Sequence, residues 1–475
     1  MVVLFTIIVY FVALLVVSRL ASGRGSNDDF FRAGRRSPWP MVAVGMVGAS
    51  ISGVTVVSVP GMVQTSQMTY LAVCLGFVVG YVVVAMVLLP LYYRLGLTSI
   101  YAYLGVRLGR SAHATGAWFF LLSKLTGAAL KFYVVCMIVQ QLALEDLGVP
   151  FEATVAMMVA LIWVYSHRGG IATLVRTDVM QTVCLVVALV LIAGSVASSL
   201  GLSVGEAAKA VSGSSLSRIV DLSGWQSPHY FWKQLLSGVF IVVVMTGLDQ
   251  DMMQKNLTCR SLRDAQKDMC CYGLAFVPVN LLLLCLGVLL TMHPALAHVS
   301  GDALLTEYVG LSATPVVVVF TVGIVAASFS SADSALASLT TCYCLDIRRQ
   351  EANERLRRRV HAVLCLLFVV VIVVIRQVNS RSLIDAVYTL VGYTYGPLLG
   401  LFAFALATRR VPRGRWVPWV CVASPLLCCA IDVAATQWTN YRFGYELLML
   451  NGAITFLGLW LSSQDTRWAE GQTAS

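Results

Sequence analysis

Residues 326–335 read Ala-Ala-Ser-Phe-Ser-Ser-Ala-Asp-Ser-Ala, so Ser330, Ser331, Asp333 and Ser334 put three hydroxyls and a carboxylate into about one and a half helical turns. Ser330, Asp333 and Ser334 stand at i, i+3 and i+4, which brings their oxygens onto one face. A hard cation such as Na+ is held by such an oxygen cluster, completed by carbonyls of a broken neighbouring helix. The structural alternative is that each serine bonds the carbonyl four residues back and Asp333 lies near a helix end. An ionisable group inside an apolar run is costly, which favours the ion-binding reading.

A second set of groups suits an anion. Lys124 and Lys131 lie seven residues apart in the apolar run 115–144 and so share a face roughly. Lys124 can snorkel to an interface, but Lys131 is near the middle and needs a partner, either a solute carboxylate or an acid such as Asp385. The run 39–65 mixes Gly45, Gly48, Gly53, Pro60 and Gly61 with hydroxyls, and backbone freed there must bond protein, water or a ligand because lipid offers no partner. The bland reading of those small residues is close helix packing. A pocket is expected with Ser50, Ser52 and Thr55 as polar contacts and Phe77, Tyr81, Tyr388 and Tyr393 as walls. Asp178 follows Thr177 at an expected helix start, where a carboxylate also caps amides. Asp249, Gln250 and Asp251 are expected where a helix reaches the cytoplasm, as a cap or part of an inner gate.

The elements that must position these groups are membrane helices. Of 475 residues 58% are hydrophobic and 12% charged, with mean hydropathy +0.81, more apolar surface than a water-soluble core can hide. Runs long enough for a bilayer of about 30 Å give thirteen expected spans: 2–19, 39–65, 69–93, 115–144, 151–166, 178–199, 230–248, 271–293, 314–343, 360–375, 382–408, 416–435 and 444–462. The net charge of +10 is not a nucleic-acid footprint, because alternate loops carry the base: 19–36, 94–110, 168–176, 255–267, 348–359 and 409–415. Under the positive-inside rule this set is cytoplasmic, with the N-terminus outside and the C-terminus inside. Residues 1–19 have no base before their apolar run, which argues for a retained helix over a signal peptide. The 13 cysteines mostly fall inside spans and read as small apolar residues rather than a disulfide framework. The expected organisation is all-α and a single membrane domain over 1–475: a peripheral helix at 1–19, two sets of five spans at 39–199 and 230–408, and two peripheral helices at 416–462. Five crossings per set give opposite orientations, which permits an inverted repeat.

Several motifs occur in order with this topology: Phe30-Phe31-Arg32-Ala33-Gly34-Arg35, Gly169-Gly170-Ile171 with Thr177-Asp178 and Gln181, Gly247-Leu248-Asp249-Gln250 with Gln254, the serine run, and Gly392-Tyr393 with Gly396-Pro397-Leu398-Leu399-Gly400. Over roughly 30–405 the chain resembles the sodium:solute symporter family, which has a LeuT-type fold. The resemblance implies a principal Na+ site from the carbonyls of Gly48, Ile51 and Ala327 and the hydroxyls of Ser330 and Ser331. It also implies a second arrangement around Asp178, Ser330, Asp333 and Ser334, where aspartate at 333 leaves a second ion and a proton both open. In the family's sialic acid transporters a basic residue in span four meets the substrate acid, here Lys124 or Lys131. Its sugar transporters carry an acid in span three, and 69–93 has none. The expected activity is import of a small polar solute, carboxylate-bearing in one reading, coupled to Na+ by alternating access in a bacterial inner membrane. Two rivals are an intramembrane enzyme using Asp178, Asp333 or His167, and a membrane sensor that binds solute without moving it. The six histidines show no metal-ligand spacing and no soluble output segment is attached. The expected partners are the solute, Na+ and the bilayer, with no nucleic acid; oligomeric state is not legible.

Overall fold

The computed structural model describes residues 2–21, 26–378, 383–439, 441 and 443–464. Among these, nine helices are long and apolar enough to cross a membrane, and two bent pairs, Trp39–Ser50 with Gly53–Ser66 and Phe231–Gly247 with Gln250–Asn256, bring the number to eleven. The two remaining expected spans are present as apolar helices of more modest length, Phe151–His167 and Leu447–Leu461, so the count of thirteen rests on these two. The strands among the described residues are a two-residue pair, Val411–Pro412 with Ser463–Gln464.

Helix burial separates core from periphery. Span nine (Thr314–Ile347) is central: Ala326, Ala327, Phe329, Ser330, Asp333 and Ala335 are all fully buried, and it packs on spans one, four, six and ten. Spans one, ten and twelve bury only 28%, 28% and 22% of their most apolar windows, the exposure of helices that face lipid.

The loops gather into two sets. Arg35 donates to the carbonyls of Gly96 and Leu97, Arg32 pairs with Glu351 at 2.6 Å, Ser37 pairs with Cys259, and Arg107 reaches the carbonyl of Thr408. At the other end Gln64 bonds the backbone of Val299 and Gly301, and Met68 N bonds Arg218 O. The base-rich loops therefore share one end of the bundle and the base-poor loops the other, as the alternation of charge requires.

Two positions show why glycine is needed. Spans five and six meet at Gly170, whose φ of +49° breaks the helical run Phe151–Ser199 and is strained for any side chain. A Cβ there would also stand 2.7 Å from Phe30 Cα. We expect Gly170→Ala to abolish most folded protein, read by size-exclusion of the detergent-solubilised chain, whereas Gly194→Ala in the same helix, which meets open space, leaves the yield unchanged. Gly48 is the second case: a Cβ would overlap the Thr182 side chain, so its absence lets span two lie directly on span six.

Span seven departs from expectation. Its apolar run predicts an end at 248 on the cytoplasmic surface, with Lys255 in a loop. Instead the chain bends by 69° at Leu248–Asp249 and continues as a second half, Gln250–Asn256, every residue of which is buried. The first span in each set of five is thus a broken one, bending by 61° and 69°.

Candidate functional site

The break in span two follows from its sequence. Ile51 leaves the helix with ψ 97°, Ser52 is extended, and a new helix begins at Gly53. Val47 accepts from Ile51 N, but among the described residues neither Gly48 O nor Ile51 O accepts a backbone amide. Span nine passes alongside, and Ser330 Oγ donates to Asp178 Oδ1 at 2.6 Å. A hydroxyl whose proton is committed to a carboxylate presents its lone pairs elsewhere. Ser331, half-buried, faces a cavity.

That cavity has a volume of about 110 Å³, several times the ~10–15 Å³ that one water needs and so more than a bare ion occupies. Ser50, Ser52, Thr55, Phe77, Tyr81, Lys124 and Lys131 all line it. Tyr81 donates to Tyr272 Oη at 2.8 Å, and Ser50 Oγ also meets that oxygen. Tyr272 and Phe276 of span eight were not foreseen. Tyr70 lines both this cavity and a second one at the base-poor end, with Gln234, His229 and Asp302.

The two lysines have different surroundings. Lys124 does not snorkel: its Nζ lies 2.8 Å from Asp251 Oδ2 and 3.1 Å from Asp249 Oδ2. Asp249 and Asp251 are not at a membrane surface; Asp249 caps the second half of span seven at the break, accepting from Asp251 N at 2.8 Å, and takes a bond of 2.7 Å from Tyr395 Oη. Lys131 lines the cavity with no carboxylate in ion-pair reach among the described residues.

One expected contact needs correction and two cannot be placed. Tyr393 does not line the cavity: its hydroxyl turns to Asp432 Oδ2 at 3.2 Å, and Tyr395, two positions on and hence on the other side of the helix, takes its place. Asp385 and Tyr388 fall on residues whose side chains lie outside those described.

The Asp178 arrangement also differs from expectation. Lys255 Nζ stands 2.7 Å from Asp178 Oδ2, and the two residues are 1% and 0% exposed. Asp333 takes a bond of 2.5 Å from Tyr165 Oη, while its other oxygen and Ser334 Oγ have no hydrogen-bond partner among the described residues.

Below the cavity, toward the base-rich end, the loop before Tyr101 is tied to the break in span seven. Tyr92 Oη donates to Gly247 O at 2.9 Å and Tyr101 Oη to Leu248 O at 2.8 Å. Gln250 donates to Thr98 O and accepts from Ile100 N, each at 2.9 Å.

The model of the sodium:solute symporter family matches residues 30–414. The sodium/sialic acid symporter NanT of Aliivibrio fischeri is 26% identical over 439 residues, 87% of this chain and 83% of that protein. The human sodium/iodide cotransporter is 26% identical over 257 residues, 53% of this chain, which thus spans 39% of that longer protein. A solved Na+-coupled sialic acid symporter in a substrate-bound outward-open state has a TM-score of 0.82 at 18% identity, covering 97% of both chains, and shares the fold. The chain belongs to the sodium:solute symporter family, a Na+-coupled secondary transporter of LeuT-type fold rather than an intramembrane enzyme.

Proposed function

We propose that the solute is a small organic molecule bearing a carboxylate, and that Lys131 receives that carboxylate. The observation that carries this reading is the contrast between the lysines: Lys124 is held by two carboxylates, whereas Lys131 faces the cavity without one among the described residues. Lys124 and Lys131 together balance Asp249 and Asp251. A carboxylate entering alone would leave the site negative, and Na+ at the break in span two restores the balance. Each ligand therefore lowers the cost of binding the other, which is the coupling a symporter needs.

Gly48 O, Ile51 O and Ala327 O with the Ser330 and Ser331 hydroxyls hold the Na+, and Ser52, Thr55 and Phe77 position the solute body. The base-rich end faces the cytoplasm of a bacterial inner membrane, with the N-terminus outside and the C-terminus inside. Inward Na+ movement then gains about 2.3 kcal/mol per charge for each 100 mV. The relatives named for sialic acid and iodide act on anions, in keeping with this reading.

The test is uptake into proteoliposomes under an inward Na+ gradient, with carboxylated sugars, monocarboxylates, amino acids and neutral polyols as the panel. A carboxylate should accumulate, and Lys131→Met should weaken it roughly 10- to 100-fold, chiefly through KM, as loss of one charge-assisted contact of about 1.5–3 kcal/mol implies. Lys131→Arg should retain part of the uptake. Accumulation of a neutral polyol, undiminished in Lys131→Met, refutes the carboxylate; binding without accumulation points to a sensor.

A further inference from the structure

We propose that the Lys255 ammonium is a built-in cation at the Asp178–Asp333 cluster, so that the protein binds one Na+ where this cluster would otherwise take another. The cluster has the makings of a cation site: the carboxylates of Asp178 and Asp333 and the hydroxyls of Ser330 and Ser334, all 1% exposed or less. Among the described residues Asp333 Oδ1 and Ser334 Oγ lack hydrogen-bond partners, as do Oε1 and Nε2 of the neighbouring Gln181, so the enclosure holds buried polar atoms that its own side chains leave unsatisfied.

Into this enclosure the second half of span seven delivers Lys255, 2.7 Å from Asp178 Oδ2. An ammonium is a compact unit charge with no acceptor capacity. It therefore neutralises Asp178 as a metal ion would, but through a tether. A second mobile cation at Asp178 would have to displace a buried lysine charge or sit beside it, and either is costly in a medium without water.

The tether also lies beside the Na+ position. Ser330, one of the hydroxyls at the break in span two, donates to Asp178, whose other oxygen holds Lys255. The lysine thus reaches the Na+ position through two residues, Asp178 and Ser330, and fixes how many ions the joint between spans two, six, seven and nine can hold.

This inference concerns Na+ alone and is tested without a solute. Radioactive Na+ is titrated onto the purified detergent-solubilised protein and the ions bound per chain are counted. The wild type should bind one, Lys255→Arg one, and Lys255→Met two, with the Hill coefficient for Na+ rising from about one toward two in the last. Two ions in the wild type overturn the proposal at once, whatever the variants do. So does one ion in a folded Lys255→Met or, if that chain misfolds, in the more polar Lys255→Gln. Failure of the carboxylate assignment would appear instead in the uptake panel, with the Na+ count unchanged.

Discussion

Lys124→Met should yield a chain that is markedly less stable and transports at background. Removing the ammonium deprives Asp249 and Asp251, each 2% exposed, of the cation they share and leaves one more uncompensated charge at the break in span seven. Truncating one partner of a buried ion pair costs about 3–5 kcal/mol because the surviving charge stays desolvated. Here one ammonium serves two carboxylates, and Tyr395 and two backbone amides soften the effect at Asp249 only. Lys124→Met combined with Asp251→Asn restores the original charge sum of the triad, so part of the folded yield should return while transport stays impaired. Thermal unfolding in detergent beside uptake separates the two effects. A single variant as stable as the wild type would mean that the pair is solvated and takes no part in holding the break.

Ser330→Ala/Ser331→Ala should raise the Na+ concentration for half-maximal uptake by at least about 100-fold, since two contacts to a charged group at about 1.5–3 kcal/mol each are removed. Ser331→Ala alone should cost roughly 10-fold or more. Ser330→Ala should do further damage, because Asp178 then loses the hydroxyl 2.6 Å away. Ser338→Ala is the internal control: that hydroxyl only returns to Ala335 O within its own helix, so Na+ dependence should shift less than about threefold. The readout is the Na+ titration of uptake at fixed membrane potential. An unchanged titration in the double variant would remove the ion from the joint of spans two and nine.

Much of this arrangement was legible because its signals are additive. Apolar run length marks a span, loop bases mark an end, and the glycines and Pro60 of span two mark a break. What escaped was a stretch whose meaning depends on partners far away in the chain. Residues 248–256 carry two acids, a lysine and three amides, which any local reading takes for a membrane exit. The partners that admit them to the interior, Lys124 of span four and Asp178 of span six, are contributed by other helices. The reading of two inverted sets of five already held the remedy, since a break in the first span of one set predicts a break in the first span of the other. Placing Asp249 and Asp251 at the surface then left Lys124 and Lys131 indistinguishable. Tyr393 failed for a different reason: hydropathy fixes that a helix is buried but not its rotation, and two residues turn it by about 200°.

The four hydrogen bonds that join Thr98–Tyr101 and Tyr92 to residues 247–250 also set how well the idle protein insulates the membrane. Opening toward the base-rich end has to part these two segments, and at a net value of about 1 kcal/mol per bond the four together hold back roughly 4 kcal/mol. By themselves these bonds weight the equilibrium about a thousandfold toward the arrangement closed on that side. A carrier with a looser latch would dissipate the gradient by letting ions slip through uncoupled, so the same bonds that slow release are what keep the leak small.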